Sequence, residues 1–593
     1  MTRPREETQA DLDRLSGEIL AHTLSQAYTV ADRVEEAARD SPDRPFVLFG
    51  DRRMSYAELN AAANEVAHAF QAAGVGLRDV VALMMENRPE FIVTWVGLAK
   101  LGVTTALLNT NVRGRPLATA LAATDADHVV VGSECLGNVV GEDGALPDGI
   151  VVHVLRDADG GAVEIPAGAL DLDAALADMS NDDPDPGVRE GLCGGDDLFH
   201  IFTSGTTGLP KAARLSHMRW LGVGDGMSAI VGYGPDDVIA CVLPLYHGAA
   251  GMVVVSSALS RRAAVFIRRR FSASRFWDDA RKYGVTGWQY IGEICRYLLN
   301  QPVSDGDRDH RVRSMMGAGL GADIWAQFQE RFGVERIFEG WSSTEANTSL
   351  INVDGKVGSC GRIPFKDRHN ARLIRYDVES ETHVRDERGF CIECEPGETG
   401  ELVGMILDLP DSGAGRFEGY TSAEDSERKI LRDVFSEGDR WYRSGDLLRC
   451  DDDGYHYFVD RTGDTFRWKS ENVSTQEVAE ALGGFPGLIV ANVYGVQVSH
   501  AEGRAGMAAL VLDDPDAFDG RAFYEYVDER LPGYAAPVVV RVVGEADMTS
   551  TFKLRKVDLQ RDGYDRSRID DPLYVRDDAG GAYVPLTAEN LPS

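Results

Sequence analysis

The sequence predicts a mixed α/β protein, with a large N-terminal domain over residues 1–460 and a smaller α+β domain over 461–593. Three observations carry this. Apolar strands alternate with amphipathic helices to about residue 350; residues 355–460 change to short strands and turns; and a compact strand–helix pattern returns from Arg461. At 593 residues the chain is long enough for two or three large cores, taking roughly 150 residues per domain.

Each element has its own local reason. Ser55-Tyr-Ala-Glu58 has capping-box spacing and opens an Ala-rich helix that should end near Gly74. Asp79–Met85 reads as a buried strand. Asn87 and Pro89 suit the start of a helix that Gly102 would terminate. Val103–Leu108 is the next strand, Leu117–Ala123 the next helix, and His128–Val131 another strand. Such alternation indicates a parallel sheet. Residues 157–197, rich in Asp, Gly, Ala and Pro, read as an irregular surface connection before the strand Leu198–Thr203. Beyond the boundary, a helix should start at Ser474-Thr-Gln-Glu477 and another span Arg521–Leu531. Strands are expected at Leu488–Val498, Met507–Leu512 and Val538–Val543.

Composition excludes several function classes. Lys and Arg total 61 against 95 Asp and Glu, a net charge of −34, which argues against nucleic acid as the main partner. The eight Cys show no disulfide-framework spacing and fit a reduced intracellular setting. Acids interrupt the N-terminal segment where a secretory signal would be apolar. Gly248–Ser260 is apolar but far shorter than the roughly 18 residues of a spanning helix, so burial in a soluble domain is expected. Cys391-Ile-Glu-Cys394 lacks the second ligand pair of a zinc site, and Gly317-x-Gly-x-Gly321 falls short of a dinucleotide fingerprint.

The most informative stretch is Thr203-Ser-Gly-Thr-Thr-Gly-Leu-Pro-Lys211, which follows a predicted strand. Its glycines let backbone approach an oxyanion, its hydroxyls donate, and its lysine adds positive charge. It is not a Walker A loop, because no Ser or Thr follows Lys211 and Pro210 interrupts the turn.

This string resembles the phosphate loop of the adenylate-forming superfamily, which includes acyl-CoA synthetases and luciferases. Pro244-Leu-Tyr-His-Gly248, Gly340-Trp-Ser-Ser-Thr-Glu345, Trp441-Tyr-Arg-Ser-Gly-Asp446 and Asp460-Arg461 resemble its later motifs, in the required order. Trp288–Pro302, Arg308–Arg313, Gly317–Trp325, Asp460–Thr475, Thr551-Phe-Lys553 and Asp571–Val575 resemble the fatty-acid-transport-protein branch, whose members are long-chain and very-long-chain acyl-CoA synthetases.

The resemblance implies the two-domain adenylate-forming fold, ATP and CoA as co-substrates, Mg²⁺ as cofactor and a fatty acid as substrate. It assigns Thr203, Ser204, Gly205, Thr206, Thr207, Gly208 and Lys211 to the triphosphate, Thr344 to the α-phosphate and Glu345 to Mg²⁺. Gly317, Ala318, Gly319, Gly340 and Ser342 would line the adenine slot, with Trp341 as a stacking face. Asp446 and Arg461 would hold the ribose, and Lys553 would bridge carboxylate and α-phosphate. The turn Thr462–Asp464, with Gly463 and Asp464, would be the hinge that swings the small domain; Lys469 and Ser470 would border the CoA channel. His247 reads either as a core histidine or as a gate at the acyl site. Trp288 and Tyr290 read either as tunnel lining or as ordinary core.

Three departures stand out. Trp341 replaces the more usual Tyr, Gly317-Ala-Gly-Leu-Gly-Ala322 replaces Gly-Asn-Gly-Leu-Arg-Pro, and Ser470 replaces a Gly beside the pantetheine channel. The expected activity is conversion of a long-chain or very-long-chain fatty acid to its CoA thioester through an acyl-adenylate. Its rivals are ligation of another carboxylate such as a sterol side chain, transfer of the acyl-adenylate to a carrier protein on a separate chain, or fatty-acid uptake and binding. A cytoplasmic location is expected, with peripheral contact at the inner face of the cell membrane left open.

Overall fold

The computed structural model describes residues 3–140, 149–204, 210–469, 471–498, 503–549, 553–587 and 589–592. Two mostly parallel sheets share one core. The first runs Leu170–Asp171, Val151–Leu155, His128–Gly132, Val80–Met84, Thr104–Leu107, Asp197–Ser204 and Pro210–Ser216, only the last pair being antiparallel. The second runs Leu350–Ile351, Arg336–Trp341, Ser314–Ala318, Gly287–Ile291, Val238–Cys241, Ala264–Ile267, Pro45–Phe49 and Arg52–Ser55, antiparallel at its two edges.

Helices wedged between these sheets explain why the strands read as continuous apolar runs. In Pro89–Lys100 every residue except Glu90 is buried. Trp95 meets Phe199 of the first sheet and Trp220 of the neighbouring helix His217–Val231, with ring centroids 5.1 and 5.6 Å apart. Burying each such side chain contributes about 1.5–3 kcal/mol. Lys100, fully buried at the end of this helix, is compensated by Glu35 at 3.0 Å and Asp183 at 2.9 Å.

Most predicted elements form with shifted ends. Ser55 caps Tyr56–Ala72 through the expected capping box, and the strand expected to reach Val498 ends at Val496. Residues 157–197 need correction. They hold the sheet strand Leu170–Asp171 and the helix Leu172–Leu176, and Asp183 and Arg189 dock onto Lys100, Glu35 and Asp32. Buried charges that need partners pin what composition alone suggested was loose.

Residues 361–461 build an antiparallel sheet in the order Gly361–Arg362, Tyr455–Arg461, Arg440–Cys450, Thr399–Met405, Ala371–Asp377, Thr382–His383. Cys391 packs here with Val434 and Trp441, and Cys394 in a separate apolar cluster with Leu402 and Tyr442. After it, the hairpin Phe466–Trp468/Glu471–Val473 precedes a five-stranded sheet of Leu488–Val496, Ala505–Leu512, Val539–Val543, Leu573–Asp577 and Ala582–Pro585. The helices Thr475–Leu482 and Gly520–Arg530 pack on this sheet, the first capped by Ser474. Asp460 lies buried in the last long strand of the antiparallel sheet and accepts from the Thr475 backbone at 2.6 Å, so its carboxylate ties the two regions together. Among the described residues no helix is long and apolar enough to cross a membrane.

Candidate active site

In open α/β sheets ligands collect beyond the carboxyl ends of parallel strands, because loops and helix starts meet there. The motifs sit at such ends. Ser204 closes the strand entering the phosphate loop, Cys241 precedes Pro244–Gly248, Ala318 precedes Gly319, and Trp341 precedes Thr344 and Glu345. Asn87 joins the two sheets at this edge. Its amide donates to Leu243 O at 2.8 Å and accepts from Leu245 N at 2.8 Å. A Cβ on Gly248 would lie 3.6 Å from Thr344 Oγ1, so these two motifs face each other.

At the phosphate end, Gly205, Thr206, Thr207 and Gly208 lie outside the described residues, as does the Ser204 side chain. Thr203 is within hydrogen-bonding reach of Tyr420, whose hydroxyl donates to Glu345 Oε1 at 2.8 Å. Burial and the Glu345 charge raise the Tyr420 phenol well above its ordinary value, so it stays a donor. Lys211 pairs with Asp425 at 2.8 Å, and Lys429 stands 3.7 Å from Glu345. Tyr420, Asp425 and Lys429 belong to a segment that pairs back onto Ala213, and sequence reasoning missed all three. They lack a local signal.

Among the described residues no group of three or more His, Cys, Asp or Glu forms a metal cage. The buried Glu345 carboxylate alone still suits Mg²⁺, which is commonly held by one carboxylate, water and substrate phosphates.

The residues expected to line an adenine slot are tightly built. A Cβ on Gly317 would stand 2.2 Å from Tyr290 O, and Gly319 adopts φ +84°. Ala318 lies at the open end of its strand, and Gly340 pairs with Ile351 beside it. Glu339 organises this loop, accepting from the backbone N–H groups of Gly319 and Leu320 and from the Tyr290 hydroxyl. Burial nevertheless pushes its carboxyl up to about 8. A lone acid inside the apolar strand Arg336–Trp341 was the signal that could have revealed it.

Trp341 is buried among Leu350, Ile363 and Tyr442, and its indole N–H donates to Asp446 Oδ2 at 2.8 Å. Little of its expected stacking face is open. Ser342 bonds locally to Ser343 O. Arg461 approaches Asp446 Oδ1 at 3.8 Å across paired strands. Enclosure in the cleft raises the Asp446 pKa, while Arg461, Trp341, Lys553 and Lys429 favour its anion. Behind it, fully buried Glu401 accepts from Gly445 N–H at 2.9 Å and meets His383 Nε2 at 2.6 Å. Burial would raise Glu401, but His383 and Arg443 hold it below the usual carboxylate range.

Lys553 faces this constellation from the small domain. It is exposed, yet surrounding protein and the like charge of Arg461 lower its pKa, with Asp446 and Glu345 opposing. Burial, followed by the Lys553 charge, pushes His247 down to about 4. Its Nδ1 accepts from Ala249 N–H at 3.3 Å, so the neutral ring carries its proton on Nε2. The turn expected to act as hinge is held at both ends: Thr462 N–H donates to Gly445 O at 2.9 Å, and Asp464 pairs with Lys556 at 3.1 Å while Gly463 stays uncrowded. Lys469 takes φ +52° at the tip of its hairpin; Ser470 lies outside the described residues.

Trp288 and Tyr290 follow the second of their two expected readings, ordinary core. Trp288 is fully buried against Phe276, with centroids 4.6 Å apart, and Tyr290 uses its hydroxyl on Glu339. Close packing makes both rings core.

A family described as AMP-binding enzyme matches residues 34–404. The human long-chain fatty acid transport protein 1 is 43% identical, covering 90% of this chain and 82% of its own length. The crystal structure of the anthranilate CoA ligase AuaEII with anthranoyl-AMP superposes with a TM-score of 0.74 at 20% identity, covering 90% of this chain and 97% of that one. A Mycobacterium tuberculosis fatty acyl CoA synthetase gives a TM-score of 0.61 at 23% identity, covering 90% and 98%.

Proposed function

The chain belongs to the AMP-binding enzyme family and, within it, to the long-chain fatty acid transport proteins, and from that premise we propose the chemistry of its cleft. It is a fatty acid–CoA ligase that works through an acyl-adenylate. The observation that carries the residue-level reading is that the Lys553 charge acts on Asp446, Glu345 and His247, each about a hundred residues or more away in sequence.

A fatty carboxylate is already an anion near pH 7, so adenylation needs no general base. It needs an oxygen brought in line with the α-phosphorus and relief of the charge that gathers there. Lys553 supplies that relief. One oxygen of the fatty carboxylate forms a bond to Pα as the bond from Pα to pyrophosphate breaks. Because His247 is neutral, Lys553 is the cation that faces the carboxylate from that side. Asp446 accepts from the ribose hydroxyls, held by Trp341 on one oxygen and Arg461 near the other. Glu345 and the triphosphate would hold Mg²⁺, which when bound neutralises phosphate charge. In the second half-reaction the CoA thiol attacks the acyl carbonyl and AMP leaves. Release of the latches at Thr462 and Asp464 would let the small domain turn between the two steps. A long-chain or very-long-chain acid is the proposed substrate, and a cytoplasmic enzyme with peripheral membrane contact the proposed setting.

The test is incubation with ATP, Mg²⁺, CoA and a panel of carboxylic acids, with products identified by mass spectrometry. Acyl-CoA plus AMP from a long-chain acid is expected. Acyl-adenylate without thioester would instead indicate a carrier-protein acceptor, and no AMP with any acid would overturn the reading.

A further inference from the structure

Lys429 has no part in the motifs that located the cleft, yet its ammonium lies inside it. The residue ends the short helix Ala423–Arg428 and precedes the strand Ile430–Arg432, which pairs with Arg440–Cys450. Nζ donates to the carbonyls of Arg443 and Ser444, both at 3.3 Å, just before Gly445 and Asp446. It lies 5.5 Å from the Tyr442 ring centroid and 3.7 Å from Glu345 Oε1. The same Glu345 oxygen accepts the Tyr420 hydroxyl.

Two features make this more than a strut. An ammonium has three donors, and here both carbonyl bonds are long, while the approach to Glu345 exceeds hydrogen-bonding distance. The pairing is therefore Coulombic and can be exchanged for a stronger acceptor. The Lys429 side chain also keeps 27% of its surface exposed, so it is not sealed in the core. The nearby cation of the phosphate loop, Lys211, is already neutralised by Asp425 at 2.8 Å. An incoming polyanion thus meets Lys429 as an added positive charge beside Glu345.

We propose that Lys429 is a triphosphate-binding residue, paired with Glu345 until nucleotide arrives and then donating to oxygens of the β- or γ-phosphate. This rests on the ligase reading, because it takes Glu345 to mark the phosphate end. A role beyond the α-phosphate predicts discrimination between ATP and AMP, which a purely structural residue would not give.

The test compares wild type with Lys429→Met and Lys429→Arg by equilibrium binding of ATP and of AMP in Mg²⁺, without fatty acid, beside thermal unfolding. The Met variant should bind ATP at least about 10-fold more weakly and AMP as well as wild type, and Arg should restore most of the ATP affinity. Equal loss for both nucleotides would overturn the proposal, showing that Lys429 merely braces the Asp446 strand. Unchanged ATP binding would overturn it too. Should the Met variant not fold, Lys429→Arg and Lys429→Gln carry the same ATP-to-AMP comparison. These measurements need no acyl substrate, so failure of the product assay leaves them interpretable.

Discussion

The indole N–H of Trp341 donates to Oδ2 of Asp446 across 2.8 Å, joining two strands that lie 105 residues apart. The ring expected to stack on adenine therefore also fixes the carboxylate expected to hold ribose. A tyrosine at 341 has its polar atom at a different place on the ring and would not reproduce this contact.

Trp341→Phe keeps a flat ring and deletes the donor. A hydrogen bond to a charged group contributes about 1.5–3 kcal/mol, so KM for ATP should rise roughly 10- to 100-fold with a smaller effect on kcat. Steady-state kinetics checks this, and an unaltered KM would count against Trp341 as the residue that positions Asp446.

Lys553→Ala should lower adenylation by on the order of 10²- to 10³-fold while ATP affinity changes only a few-fold. Fatty-acid-dependent pyrophosphate exchange measures the first quantity and nucleotide binding the second. Supplied acyl-adenylate should still react with CoA. Adenylation at the wild-type rate would remove Lys553 from the chemistry.

Asp425→Asn frees Lys211 from a pair whose partners are 13% and 22% exposed. Breaking such a pair costs about 1 kcal/mol when ATP must do it, so the variant should bind ATP up to about 5-fold more tightly. Weaker binding would show that Asp425 orients Lys211 instead of competing for it.

Acid should destabilise the fold between the ordinary histidine range and about pH 4. Burial holds His153, His217, His247, His369 and His456 down at about 4. The unfolded chain takes up those protons near pH 6.5 and the folded chain only near 4, so their stabilisation is full above 6.5 and is lost as pH falls. Glu339, raised to about 8, acts in the opposite sense between roughly pH 4.5 and 8. Acid also relieves repulsion from a net charge of −34. Burial raises Glu293, Asp446, Asp460 and Glu480 in the same sense as Glu339. The five histidines are expected to outweigh these acids, and the unfolding temperature should drop by on the order of ten degrees from pH 7 to pH 5. A flat or rising profile in calorimetry would contradict this.

Much of the fold was legible because its signals are local. Ser55 and Glu58 cap a helix through atoms three residues apart, and Ser474 does the same for Thr475–Leu482. The chemistry-bearing motifs were legible as strings, since glycines, hydroxyls and a lysine after a strand suit oxyanions whatever surrounds them. Residues 157–197 were misread because Asp183 and Arg189 are anchored by charges on Lys100, Glu35 and Asp32, distant in sequence. Trp288 was ambiguous because an aromatic strand residue looks alike whether it meets Phe276 or a ligand.

The sequence by itself determined the alternation of strands and helices, their caps and the order of the motifs, all of which depend on neighbouring residues. Only the tertiary structure decided that Glu339 would clasp the Gly319 loop, that Glu401 would hold Gly445, and that Tyr420 and Lys429 would converge on Glu345. The reason is physical: a side chain's partners are set by which strand ends packing brings together. Several of those ends lie tens to hundreds of residues apart, where no local period or spacing links them.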